Sequence, residues 1–294
     1  MAVTVGSGAS QGRMTYEEAV RAWREEPGTE SAVRDAYLDA DPVQAAERFR
    51  WSAEFASTDN LLRASLGRSR APHLLDLGAG NGIATFAFAR AGYRVVAAEP
   101  GRSAEVGAGA IARIASRTGL ALPVVCALGE TLPFPAETFD CVYARQVLHH
   151  ASNLGRMVGE AARVMRPGGV FLAVREHVVD DDEQLQVFLA EHPLQKYHSA
   201  EHAYPVAGYA RALRDAGLRV TGVFHPLATV INFAPRTAAD LDAQAALWSR
   251  QKLGFLGPWI GGLALWQKLY RFRASRDRWP GRLYSFLAQK PVHP

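Results

Sequence analysis

The stretch LLDLGAGNGIA, Leu74 to Ala84, constrains this chain more than any other part of it. A short apolar run carrying Asp76 gives way to glycines at 78, 80 and 82, and a helical pattern starts at Ile83. Glycine admits positive φ and carries no Cβ, so such a turn lets a ligand approach the backbone closely. Strand, glycine turn and helix, in that order, form the opening unit of an open α/β sheet. Ligands of such sheets bind beyond the carboxyl ends of the strands.

The unit recurs along the chain. Strands are expected at His73–Leu77, Arg94–Ala98, Pro123–Ala127, Asp140–Ala144, Val170–Arg175, 218–223 and Leu283–Leu287, with helices at Ile83–Ala91, about 103–118, about 153–165 and 206–216. Pro167, Gly168 and Gly169 are read as the end of a helix and the start of the next strand. Short apolar runs alternating with helical stretches specify a mostly parallel sheet covered on both faces. Five regions follow: a flexible tail (1–13), an N-terminal helical cap (14–69), an α/β core (70–223), an inserted helical subdomain (224–280), and the last strand with the C-terminus (281–294). Thr15–Arg24 and Ser31–Glu54 carry the helical pattern of the cap. Within the insert, Leu256, Trp259, Leu263, Trp266 and Tyr270 recur at helical spacing and read as one face of a helix.

Composition narrows the class. Of the residues, 48% are hydrophobic and 21% charged, a globular balance. No apolar run of eighteen residues and no signal-peptide pattern is seen, and the only cysteines are Cys126 and Cys141, both in apolar runs that read as buried strand. A disulfide framework is thereby excluded and a cytoplasmic location expected.

Glu99 stands 21 residues after Gly78 at the end of the second strand, where a carboxylate accepts the ribose hydroxyls of a nucleoside. The dinucleotide fingerprint needs glycine at position 83, which is Ile83, and no Walker lysine motif is present. With LLDLGAGNG, the segments GETLPFPAETFDCVYARQVLHH (129–150) and ARVMRPGGVFLAV (162–174) resemble, in order and separation, the motifs of class I S-adenosylmethionine-dependent methyltransferases. The likeness is nearest to the branch that includes quinone-biosynthesis enzymes. It implies a Rossmann-like class I methyltransferase sheet of seven strands and S-adenosyl-L-methionine as cofactor. It also implies cofactor contacts at Asp76, Gly78, Ala79, Gly80, Glu99, Pro100, Leu128, Gly129, Glu130, Arg145 and Gln146. Leu128 stands where many members of the family have an aspartate for the adenine amino group.

The resemblance implies an enzyme that transfers a methyl group in line to an O, N or C nucleophile of a small molecule. Catalysing a cyclisation or elimination, or a non-catalytic assembly role, are the alternatives. A carbon or oxygen nucleophile must lose a proton, and six of the nine histidines cluster between 149 and 202. His150 is the first candidate base, with His149, Glu176 and His177 beside it at the carboxyl ends of the fourth and fifth strands. The segment 191–205 reads as a substrate-covering loop, with His192, Tyr197, His198, Glu201 and His202 as substrate contacts. The i,i+4 spacing of His198 and His202 would suit a metal on a helix, but H-E-x-x-H order is lacking and no metal is expected. From Arg250 to Arg282, eight Lys or Arg face one acid, Asp277. That charge and the insert's aromatics favour a subunit contact through 224–280, or less readily a lid or an anionic membrane surface; no nucleic-acid module is recognisable.

Overall fold

A computed structural model of the chain describes residues 14–67, 71–195 and 201–292; the expected tail at 1–13 lies outside them. Four helices come first: α1 (Tyr16–Glu25), α2 (Glu30–Asp35), α3 (Pro42–Arg50) and α4 (Ala53–Leu66). Their starts are encoded locally. Thr15 and Glu18 form a capping box on α1, and the side chains of Asp41 and Ser52 cap α3 and α4. Then follow β1 (His73–Leu77), α5 (Ile83–Arg90), β2 (Arg94–Ala98), α6 (Ala108–Thr118), β3 (Val124–Val125), β4 (Phe139–Arg145), α7 (Leu154–Val164), β5 (Met165–Val178), α8 (Asp182–Glu191), α9 (Val206–Asp215) and β6 (Arg219–Phe224). The chain ends with α10 (Val230–Phe233), α11 (Ala238–Leu253), α12 (Gly257–Ile260), α13 (Ala264–Ala274) and β7 (Arg282–Gln289).

The seven strands form one sheet in the order β3-β2-β1-β4-β5-β7-β6, parallel except for β7 against both its neighbours. This is the mostly parallel seven-stranded sheet the sequence predicts. Alternate residues of each strand enter opposite cores, as the two-residue period requires. Leu74, Tyr143 and Leu172 pack on one face with Phe49, Phe55 and Phe88. Leu75, Val142 and Phe171 pack on the other with Val158 and Leu213. Phe88 links the N-terminal helices to the sheet, its ring 5.1 Å from Phe55 and 5.0 Å from Tyr143. The helices α3 and α4 therefore belong to one layer of the core.

Several local expectations are corrected. β3 has two residues and not five, and Cys126 is exposed, because this strand is the sheet edge and pairs only with β2. Cys141, in the central strand β4, is buried. The segment Pro167–Gly169 lies within β5, where Gly168 N donates to Lys290 O and Lys290 N to Gly169 O. The insert does not present one face: the chain turns at 261–263, between α12 and α13. Trp266 stacks on Trp248 of α11 at 4.5 Å, while Trp259 is 82% exposed. Helix α11 is itself missing from the sequence reading, although Thr237 and Asp240 form a capping box that signals its start. Among the described residues no helix is long and apolar enough to cross a membrane.

Candidate active site

Beyond the carboxyl ends of β1, β2, β4 and β5 lies a cavity of about 910 Å³. One end is made largely of backbone. Gly78, Gly80 and Gly82 have φ of 64°, 54° and 83°. A Cβ on Gly78 would sit 2.6 Å from Val147 Cγ2, and one on Gly82 2.7 Å from Ile111 Cγ1, so glycine is required at both. A Cβ on Gly80 would meet nothing within 4 Å. Glu99 pins the turn: its Oε2 accepts from Gly80 N at 2.7 Å and its Oε1 from Gly101 N at 2.8 Å. Burial raises the Glu99 carboxyl pKa, and these two N–H bonds oppose the rise. Beneath the turn, Thr85 Oγ1 donates to Asp76 Oδ2 at 2.6 Å, and burial pushes Asp76 up to about 7.

Arg145 forms part of the floor. Its Nε donates to Glu54 Oε1 at 2.7 Å and its Nη1 to Gln146 Oε1 at 3.0 Å. Burial disfavours its charge, but Glu54 more than compensates, and the Arg145 pKa is raised. Glu54 lies on α4, 91 residues away in sequence. A glutamate on a helix ordinarily reads as solvated, so nothing local marks this partner.

The other end is made of side chains. After β4 the chain makes a 3-10 turn, Leu148–His150. Glu176 of β5 holds this turn from below, accepting from the backbone N–H of Val147 at 3.1 Å, Leu148 at 3.1 Å and His149 at 3.2 Å. Its Oε2 is also 2.7 Å from His149 Nδ1. Burial raises the Glu176 pKa, and the three backbone bonds resist that. With a carboxylate accepting from Nδ1, the His149 proton sits on that nitrogen and Nε2 turns its lone pair outward. Burial holds His149 well below the usual imidazole range, with the neighbouring histidines adding to the effect. His177 is held well below that range too, chiefly by burial and then by His149, while its Nδ1 lies 2.9 Å from Gly281 O.

The sequence-predicted residues Asp76, Gly78, Ala79, Gly80, Glu99, Pro100, Leu128, Gly129, Glu130, Arg145, Gln146, His149, His150, His177, His192 and Glu201 all line this cavity. Glu176, also predicted, does not; it lies beneath His149, with its Oε2 2.7 Å from His149 Nδ1. His202 is also outside the lining, its ring 4.5 Å from that of Tyr204. Tyr197 and His198 fall outside the described residues, and Glu201–Ala203 are not helical, so the i,i+4 pairing has no helix there. Helix α8 runs up to the start of the covering segment at Glu191 and is missing from the sequence reading; Asp181, whose side chain caps α8, is the signal for it. Among the described residues none of 224–280 lines the cavity; α1 with its cap and the α2–α3 segment do, through Thr15, Tyr16, Trp23, Ala36 and Leu38.

Residues 75–173 match the profile of a methyltransferase domain. Over 197 residues the chain is 29% identical to the ubiquinone biosynthesis O-methyltransferase of Paramagnetospirillum magneticum, covering 64% of this chain and 76% of that protein. The chain carries a methyltransferase domain on the fold of the class I methyltransferases. The chain is also 38% identical over 125 residues to an uncharacterized methyltransferase of Mycobacterium avium, 42% of this chain and 47% of that one. Its fold matches the geranyl diphosphate C-methyltransferase of Streptomyces coelicolor, solved with Mg2+, geranyl diphosphate and S-adenosyl-L-homocysteine. That match has a TM-score of 0.54 and 13% identity, and covers 92% of this chain and 88% of the other.

The family implies S-adenosylmethionine, and the backbone end of the cavity fits it on two counts. The space beside Gly80 is open where a side chain would stand. Each Glu99 oxygen spends one acceptor site on a backbone N–H and retains another.

Proposed function

We propose that this methyltransferase moves the methyl group of S-adenosylmethionine onto a hydroxyl oxygen of a small acceptor with an apolar or aromatic portion. The observation that carries this reading is the chemical division of one cavity. Its glycine–Glu99 end suits a nucleoside, and its His149–His150–Glu201 end suits a group that must lose a proton. Trp23, Leu38, Val106 and Leu194 supply apolar wall along the cavity. The O-methyltransferase name of the ubiquinone-pathway relative supports an oxygen acceptor.

Bound, the cofactor supplies a methyl carbon made electrophilic by a sulfonium. In this reading Glu99 accepts from the ribose hydroxyls, while Gly78 and Gly80 leave room for the donor to reach the backbone. Asp76 sits where a cationic donor would favour its ionised form. The polar end orients the acceptor hydroxyl and takes it towards its oxyanion, since an oxygen nucleophile attacks in line only once its proton is leaving. The carbon–sulfur bond breaks as the carbon–oxygen bond forms, and the hydroxyl proton passes to solvent.

Incubation with methyl-labelled cofactor and fractionated small-molecule extracts tests this. The expected product is heavier than its precursor by one methylene and carries the label as a methoxy group. A labelled product with the methyl on carbon or nitrogen overturns the oxygen assignment, and a product of unchanged mass overturns methyl transfer.

A further inference from the structure

Four side chains, two of them neighbours on the 3-10 turn, meet at the polar end. His149 Nε2 lies 3.8 Å from Glu201 Oε2, and His150 Nε2 lies 3.9 Å from the same oxygen. His192 Nδ1 lies 3.8 Å from the other oxygen, Oε1. One ligand atom from each of His149, His150 and Glu201 falls within 4.8 Å of the other two. All four residues line the cavity.

The arrangement around His149 is that of a supported ligand. Glu176 fixes the His149 proton on Nδ1, so Nε2 presents a lone pair to the Glu201 carboxylate. That lone pair and the Glu201 carboxylate come together where their side chains are 2% and 3% exposed, and both are donors to a cation. His192 Nδ1 is buried, has no hydrogen-bond partner among the described residues, and faces the same carboxylate. A carboxylate that grips one imidazole nitrogen while the other points into a shared centre is the usual outer support of a metal-ligating histidine.

We propose that His149, His150 and Glu201, with His192 beside them, hold one divalent cation of the zinc class. Imidazole and carboxylate donors without thiolate suit such an ion. Zinc bonds of about 2.0–2.1 Å at tetrahedral angles put ligand atoms roughly 3.4 Å apart. The separations of 3.8 and 3.9 Å from Glu201 therefore need to close by about half an ångström, and the two imidazole nitrogens lie within 4.8 Å of each other. The remaining coordination position opens to the cavity, and the acceptor oxygen fills it. A cation there lowers the pKa of a bound hydroxyl, so its proton leaves to solvent and the oxyanion faces the donor. This assignment rests on the reading that the acceptor occupies the polar end. It replaces a free histidine base by a metal-bound nucleophile.

The test is calorimetric titration of chelator-stripped full-length protein with Zn2+, alongside Co2+ titration read by visible absorption. S-adenosylhomocysteine affinity is measured on the same samples. One Zn2+ per chain is expected, with Co2+ giving a four- or five-coordinate spectrum. Glu201→Gln and His149→Ala are expected to weaken binding a hundredfold or more, and His192→Ala about tenfold. Far-ultraviolet circular dichroism checks that each variant is folded. Stripped protein that binds S-adenosylhomocysteine but no Zn2+ overturns the metal site, as does Zn2+ binding unmoved by Glu201→Gln. Stoichiometric Zn2+ binding in a protein that methylates no hydroxyl leaves the metal site standing and removes the acceptor assignment instead.

Discussion

The two ends of the cavity are built by different means. The donor end is a turn of three glycines between β1 and α5, fixed by backbone dihedrals and by one carboxylate that bonds only to N–H groups. The acceptor end is a set of imidazoles and a carboxylate carried on a 3-10 turn, the end of β5, and the segment after α8. A backbone site recognises whatever every reaction of its kind shares. A side-chain site can be changed one residue at a time.

Three substitutions bear on that contrast. The largest effect is expected at Asp76, under the donor turn. Its pKa rises from 3.8 to about 7 on folding, so between those values the native state binds the extra proton and stability falls as pH rises. Relative to Asp76→Asn, the unliganded protein should therefore lose stability between pH 4 and pH 7, by of order 4 kcal/mol in total, and change no further above pH 8. Denaturant unfolding of both proteins across this range measures it, and a pH-independent difference would falsify the burial argument. Next is Glu99→Ala, which should weaken cofactor binding by about 1.5–3 kcal/mol while leaving acceptor KM in place. If acceptor binding falls equally, the division of the cavity is wrong. The smallest effect is expected at Glu176→Gln, which cannot hold the His149 proton on Nδ1 as a carboxylate does. Turnover should drop roughly tenfold or somewhat more, with S-adenosylhomocysteine affinity unchanged. A change in cofactor affinity at this position would mean that the two ends are not separately controlled.

The same contrast explains how much of the site was legible in the sequence. The glycine turn, Asp76 and Glu99 announce themselves because strand, turn and helix are adjacent in the chain and each glycine answers to a local dihedral. The seven-stranded sheet is legible for the same reason, through its alternating apolar runs. The acceptor end depends on residues 27 apart, as with His149 and Glu176, and on where the segment after α8 folds back. Sequence placed the histidines at the right edge of the sheet, but not the hydrogen bond that sets Glu176 beneath the turn and His149 in the cavity wall. Glu54 went unnoticed because its partner Arg145 is 91 residues away. Cys126 was misread because an apolar run on an edge strand looks the same as one in the middle. In the insert, regular spacing of aromatics concealed a break at Gly261 and Gly262, where the helix cannot continue as one rod.

Val147 touches both halves. Its methyl groups occupy the space that any side chain at position 78 would need, and its own N–H is tied to Glu176. The partition between donor and acceptor is thus a single valine thick. Enlarging that residue to redesign the acceptor chamber would press on the nucleoside turn, and shrinking it would let the histidine turn sag towards the glycines. Any effort to give this scaffold a new acceptor has to leave position 147 alone and work from the lining that α1 and residues 192–194 supply.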